Sequence, residues 1–399
     1  MMKSSLQTQQ QHSSRHCEPR VFCGARQSSP SFCTAFTKKL CCHVTGWIAS
    51  SPYGLLAKTI TIILFCLISP ISFAQDKVLN VYVWSGEIPD SLIKQFEKET
   101  GIKVNFSTYQ NNEIMYAKLR SGSGASYDIV MPSSYFIDRM RKADMLADLD
   151  KSKIPNWKNI NPEFLNPAYD PKSEFSIPFA WGVTGIFVNK KYYDPSSVQT
   201  WNTLWEPRFS NQLLMLDDTR EIFSMALISL GYSSNDRDPE HIQQAFTQLK
   251  KLMKNVKVFS SETVVSIIVD EDANVGMAWN GDAYRASLEN KDVHFVFPKD
   301  GFIIWVDNLA IPKTAPHKDA AHAFINFMLR PESGKITAIK MNFPIANLAA
   351  QKLLPPEIRD NPVIYPPREV LKRGQFPRDL GEKTLDLYEK FWEKLKMSG

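Results

Sequence analysis

From residue 78 onward, hydrophobic and polar positions alternate between strand and helix periods. Val78–Trp84 repeats every second residue, and Ser85-Gly86 interrupts it. Pro89 opens a helix whose Leu92, Ile93 and Phe96 share one face; Gly101 stops it, and Ile102–Phe106 returns as a strand. This β-α-β opening predicts an open α/β sheet with Trp84 at a strand's carboxyl end, the side on which such sheets bind ligands. A helix is expected over Glu113–Arg120 and a buried strand over Tyr127–Met131. Ser133 or Ser134 can then cap a helix over Phe136–Ala143, leaving Tyr135 as a pocket wall. Asp150–Ser176, rich in Pro, Asn and Lys, reads as a surface connection. Ile177–Asn189 is apolar but broken by Gly182 and Gly185, as expected of a hinge strand between lobes.

The second half repeats the theme. Leu213–Leu216 is a strand that runs into Asp217-Asp218-Thr219-Arg220-Glu221 and a helix, Ile222–Leu230. Glu240–Met253 is an amphipathic helix, and Val275–Trp279 is a strand with Asp282 close behind its indole. Val293–Phe297 and Ile303–Ile311 complete this lobe and lead back to the first. His322–Leu329 reads as a helix, and His317 and His322 as solvated. Leu371–Lys396 is mostly helical and polar, expected to wrap the outside, and Trp201–Trp205 reads as core packing.

The length of 399 residues exceeds one ordinary core and suits two lobes. The net charge of +5 is unevenly spread: residues 1–74 hold seven Lys/Arg against one Asp/Glu, and the rest sums to −1. That excludes a basic nucleic-acid-binding surface. All six cysteines precede residue 75. Residues 58–74 read as a signal peptide, with an apolar run over Thr59–Phe73 and small residues at Ser72 and Ala74. Residues 1–57 read as an N-terminal extension, best explained by a start codon assigned too far upstream. The exported protein would begin near Gln75 without cysteine, which suits an oxidising compartment.

Candidate chemistry concentrates at strand ends. Trp305 and Asp307 stand two apart on one strand and face the same way. An indole face attracts cations, and a buried carboxylate needs one, so the pair fits an organic cation. It equally fits an Asp paired with Lys, Arg or a backbone N–H beside a core Trp. Asp218 and Glu221, three apart, can meet one cation together, although Arg220 is placed to neutralise either. Acids in a first helical turn are also ordinary caps, a role that suits Asp217. Gly-x-Ser-x-Gly, His-Glu-x-x-His and phosphate-loop patterns are absent, and the four histidines after residue 74 (His241, His294, His317, His322) lack metal-ligand spacing.

From Leu79 to its end the chain resembles the periplasmic spermidine/putrescine-binding proteins of bacterial ABC importers. The residues carrying the resemblance are Phe96–Val104, Asn112–Leu119, Leu216–Phe223, Trp305–Pro312 and Asn347–Ala350. The resemblance implies an α/β two-lobed periplasmic binding protein fold, type II-like, with the ligand cleft between lobes. Residues 75–182 and 307–351 would form lobe 1, and 183–306 and 352–399 lobe 2. It further implies that Trp84 packs on ligand methylenes and that Ser133 and Tyr135 contact an amine end. Asp218 and Glu221 would bind amino groups, Trp279 and Trp305 form an aromatic sleeve, and Asp307 supply the central acid.

Three positions depart from the spermidine-binding pattern. Glu87 replaces a Tyr and adds an acid near the cleft mouth; Phe343 replaces a Tyr and loses a hydroxyl; Pro377 replaces a Gln and loses an amide. The implied protein is a periplasmic monomer that passes spermidine or putrescine to an inner-membrane ABC permease, with no cofactor, metal or catalysis. Alternatives are a polyamine sensor or scaffold signalling to a receptor, and a periplasmic hydrolase using Asp218 and Glu221.

Overall fold

The structure is a computed structural model that describes residues 77–122 and 124–397. The expected extension and signal peptide lie outside the described residues.

Among the described residues ten strands form one sheet: β1 Val78–Trp84, β2 Lys103–Tyr109, β3 Ile129–Val130, β4 Ser176–Asn189, β5 Leu213–Met215, β6 Val256–Phe259, β7 Val275–Trp279, β8 Val293–Val296, β9 Phe302–Ala310 and β10 Gly374–Gln375. The order is β2-β1-β3-β9-β4-β7-β5-β6, with β8 on β4 and β10 on β9. Each end of this order is a parallel set: β1 with β2 and β3, and β5 with β6 and β7. Antiparallel β4 and β9 join the two sets, paired from Ser176↔Ala310 to Thr184↔Ile303. Parallel strands need helical crossovers, and the helices Asp90–Thr100 and Pro239–Leu252 supply two of them.

The two sets have separate cores, so the molecule is two-lobed. One core gathers Leu79, Phe96, Ile129, Leu309 and Phe324; the other gathers Phe187, Leu214, Phe223, Phe246 and Met277. β4 contributes to both, with Ile177 and Phe179 at one end and Ile186 and Phe187 at the other. All 14 of its residues are buried, which accounts for its continuous apolar run. Gly182 and Gly185 weaken the strand for a packing reason. A Cβ on Gly182 would lie 2.2 Å from Trp305 Cζ2, and one on Gly185 would lie 2.5 Å from Phe295 Cζ.

Several expectations are corrected. The tail is not an outer wrap: the helix Glu382–Lys396 buries Leu385, Tyr388, Phe391 and Leu395, and Tyr388 stacks on Phe223 at 4.5 Å. Charged residues fill the other face, which makes the stretch polar on average. The stretch before it breaks into the helix Arg368–Leu371 and β10. His322 is buried, and its Nε2 accepts from the Asp150 N–H at 2.9 Å, while His317 Nδ1 lies 3.0 Å from Asp128 Oδ2. Each ring satisfies a polar group that its neighbours bury. Trp201 is fully buried, and its indole N–H donates to the Gly301 carbonyl at 2.8 Å, as core packing requires.

Candidate ligand-binding site

A cavity of about 570 Å³ opens at the carboxyl ends of β1 and β7 and along β9. Trp84, Glu87, Ser133, Tyr135, Asp218, Glu221, Trp279, Trp305, Asp307 and Phe343 all line it. The ten residues selected from sequence are thus brought together, from elements up to 259 residues apart.

Local sequence explains each placement. β1 ends at Trp84, and Gly86 takes φ +79°, a left-handed turn open to glycine, which turns Glu87 back into the cavity. Trp305 and Asp307 alternate with inward residues on β9 and face the cavity together. Phe343 meets Trp305 edge-on, with ring centroids 5.3 Å apart at 71°. Gly281 is what allows this approach, because a Cβ there would sit 2.3 Å from the Phe343 ring.

Ser133 occupies the N-cap of the helix Ser134–Lys142, yet neither Ser133 nor Ser134 caps it through a side chain. Instead Ser133 Oγ donates to Asp307 Oδ1 at 2.5 Å. Asn112 orients this corner: its Nδ2 donates to Ser133 Oγ at 3.0 Å and to the Tyr135 hydroxyl at 3.1 Å, and its Oδ1 accepts from the Ser133 N–H. Asn112 has no period or charge to reveal such a role in the sequence.

The capping acid is Asp218, not Asp217. Asp218 Oδ1 accepts from the Glu221 N–H at 2.9 Å at the start of the helix Thr219–Ser229. Asp217 turns outward to pair with Lys396 at 2.6 Å. Arg220 does not neutralise either cleft acid by direct pairing. Its Nη2 donates to Asn235 Oδ1 at 2.7 Å, and its guanidinium lies 5.6 Å from the Tyr135 ring centre.

The acids are buried and short of cations. Among the described residues no Lys or Arg forms an ion pair with Glu87, Asp218, Glu221 or Asp307. Burial pushes Asp307 up to about 7, with the Ser133 hydroxyl pulling the other way. Burial and the charge of Asp218 push Glu221 to about 8. Burial raises Asp218, opposed by backbone N–H groups and by Arg220. Glu87 is driven well above the carboxylate range by burial and by the Asp307 carboxyl against it. Such a set disfavours its own ionised form and would be relieved by a bound cation.

Asp282 is a further lining acid, pushed up to about 6 by burial against the pull of Arg285 3.6 Å away. Its position three residues after Trp279 was the available signal. Across the cleft mouth, Gln110 Nε2 donates to Glu262 Oε1 at 2.7 Å.

Two lobes joined by a strand pair, with a carboxylate- and indole-lined cleft, define a solute-binding protein. The chain belongs to the bacterial extracellular solute-binding protein family, which it matches over residues 91–366. It is 44% identical over 321 residues to the spermidine/putrescine-binding periplasmic protein of Escherichia coli, covering 80% of this chain and 92% of that one. It is 33% identical over 343 residues to the putrescine-binding periplasmic protein of the same species, covering 81% and 92%. Among solved structures it resembles the spermidine/putrescine ABC transporter substrate-binding protein of Streptococcus pneumoniae. That match has a TM-score of 0.68 and 36% identity, and covers 81% of this chain and 99% of the other. The resemblance read from sequence is therefore a family relationship.

Proposed function

We propose that this protein captures a linear polyamine, spermidine or putrescine, outside the cytoplasmic membrane and delivers it to an ABC-type permease. One observation carries the reading: Asp218, Glu221 and Asp307, which form no ion pair with a Lys or Arg among the described residues, stand buried among indole faces in one cleft. A polyamine is methylene chain between ammonium groups, so it needs apolar walls and spaced acids. Trp84, Trp279, Trp305 and Phe343 supply the walls; Asp218, Glu221 and Asp307 supply the acids. Ser133 and Tyr135 serve one amine end, and Glu87 adds a further buried acid. Charge-assisted hydrogen bonds at roughly 1.5–3 kcal/mol each, with cation–π contacts, suffice for micromolar capture after ordering costs.

The relatives' roles as periplasmic binding proteins support capture without catalysis; in this reading the protein acts as a monomer and is exported through a cleaved leader. In this reading the lobes divide at residues 182, 306 and 351, and bending of β4 and β9 closes the cleft. Uptake of labelled spermidine by cells lacking the protein and complemented with it tests delivery. Restored uptake supports the role, whereas binding without uptake turns it into sensing.

A further inference from the structure

The cleft does not end at Trp279. Its wall continues along the helix Asn280–Glu289, which presents Asp282, Arg285 and Glu289 to the cavity at i, i+3 and i+7, one face of a helix. The helix Val264–Val269 lies beside it and lines the same cavity through Val265 and Val269, with Asp270 just beyond its end. Between them runs a trough about 10 Å long, the helical rise from Asp282 to Glu289. At the inner end Asp282 is 8% exposed, and its carboxyl takes no hydrogen bond among the described residues. Its one ion-pair partner among them is Arg285, 3.6 Å away. At the outer end Asp270 and Glu289 are exposed, and neither forms an ion pair among the described residues. Of the two arginines that line the cavity, Arg220 is bound to Asn235, which leaves Arg285 as the cation of the trough.

We propose that this trough is a further subsite, which takes the terminal aminoalkyl arm of a linear tetraamine of the spermine type. The inference rests on the polyamine reading and deepens it by naming the ligand length that the cleft favours. The trough repeats the order a polyamine requires: a buried acid, an apolar stretch, then acids again. One ammonium meets Asp282, methylenes lie on Val265 and Val269, and the end ammonium meets Asp270 and Glu289. Asp218, Glu221 and Asp307 match the three ammoniums of spermidine, so the acids of the trough are in excess for a triamine and available to a fourth charge. Arg285 balances Asp282 before a ligand arrives. Its side chain is 44% exposed, so its ion pair is weak and it can turn to solvent, yielding Asp282 to an ammonium.

The test is calorimetric titration of the purified protein with putrescine, spermidine and spermine at low salt. Spermine should bind about tenfold more tightly than spermidine. The double variant Asp270→Asn, Glu289→Gln should bring that ratio close to one. Glu289→Lys, which sets a cation at the outer end of the trough, should bring it lower still. Both changes fall on exposed side chains, so the fold is kept. Asp217→Asn removes an exposed charge outside the cavity and is the control, with the ratio kept. Spermine bound no more tightly than spermidine overturns this inference alone. So does an advantage that the trough variants leave intact, or that Asp217→Asn removes equally. Failure of the natural protein to bind any amine overturns the polyamine reading and this inference with it.

Discussion

Ser133 Oγ donates to Asp307 Oδ1 at 2.5 Å, across 174 positions of sequence. The contact links the loop after β3 to the middle of β9, and an isolated β-bridge joins the same two residues. It spends one Asp307 lone pair on orientation and leaves its charge uncompensated. Asp307→Asn keeps an acceptor for Ser133 but removes the charge. Spermidine affinity should fall roughly 10- to 100-fold, from a loss of about 1.5–3 kcal/mol, with the fold intact. Calorimetry and thermal unfolding of the purified variant check both halves; an unchanged affinity would contradict Asp307's role.

Neighbouring acids separate cap from surface. Asp218→Asn retains an oxygen for the Glu221 N–H and should weaken spermidine binding by about tenfold through lost charge. Asp217→Asn breaks only the exposed pair with Lys396 and should change affinity by less than about twofold. Equal effects of the two substitutions would show that the cleft does not read the charge of Asp218.

These two acids also show what sequence could and could not reveal. Spacing puts Asp218 and Glu221 on one side, and both line the cavity, but it assigns the cap to Asp217, whereas Asp218 caps the helix and Asp217 turns outward. That choice depends on Lys396, from the far end of the chain. Trp305 and Asp307 were legible because strand geometry alone aligns them. Asn112 was not, since its partners Ser133 and Tyr135 are set by tertiary packing. The burial of the C-terminal helix is hidden for a related reason: its apolar stripe faces Phe223 and Phe246, which only the folded lobe brings near.

Raised carboxyl values make the unliganded protein sensitive to alkali. Glu221 (about 8), Asp307 (about 7) and Asp282 (about 6) keep protons in the folded state that the unfolded chain has lost by about pH 5. The folded state therefore binds more protons, and unfolding free energy falls as pH rises from about 5 to 8. Depressed acids such as Glu271, at about 2, titrate below that window. Thermal midpoints should be lower at pH 8 than at pH 5 by several degrees, and saturating spermidine should narrow the gap. A midpoint that rises with pH would contradict the buried-acid account.

Gly182 tests the packing of the hinge strand against the site. A Cβ there would lie 2.2 Å from Trp305 Cζ2 and 2.7 Å from Asn280 Oδ1. Gly182→Ala should destabilise the protein by roughly 1–3 kcal/mol and displace the indole, weakening spermidine binding as well. Denaturant unfolding and tryptophan fluorescence on titration measure the two effects. Natural stability with natural affinity would mean the indole has room to move.

The central claim is that buried acids among indoles recognise a flexible polycation. Calorimetric titration of the purified protein with spermidine, putrescine, 1,4-butanediol and glutarate tests it most directly. The account predicts binding of one or both amines at about micromolar Kd or tighter, and none of the neutral or anionic chains. Binding of the diol or diacid in preference to every amine would contradict it.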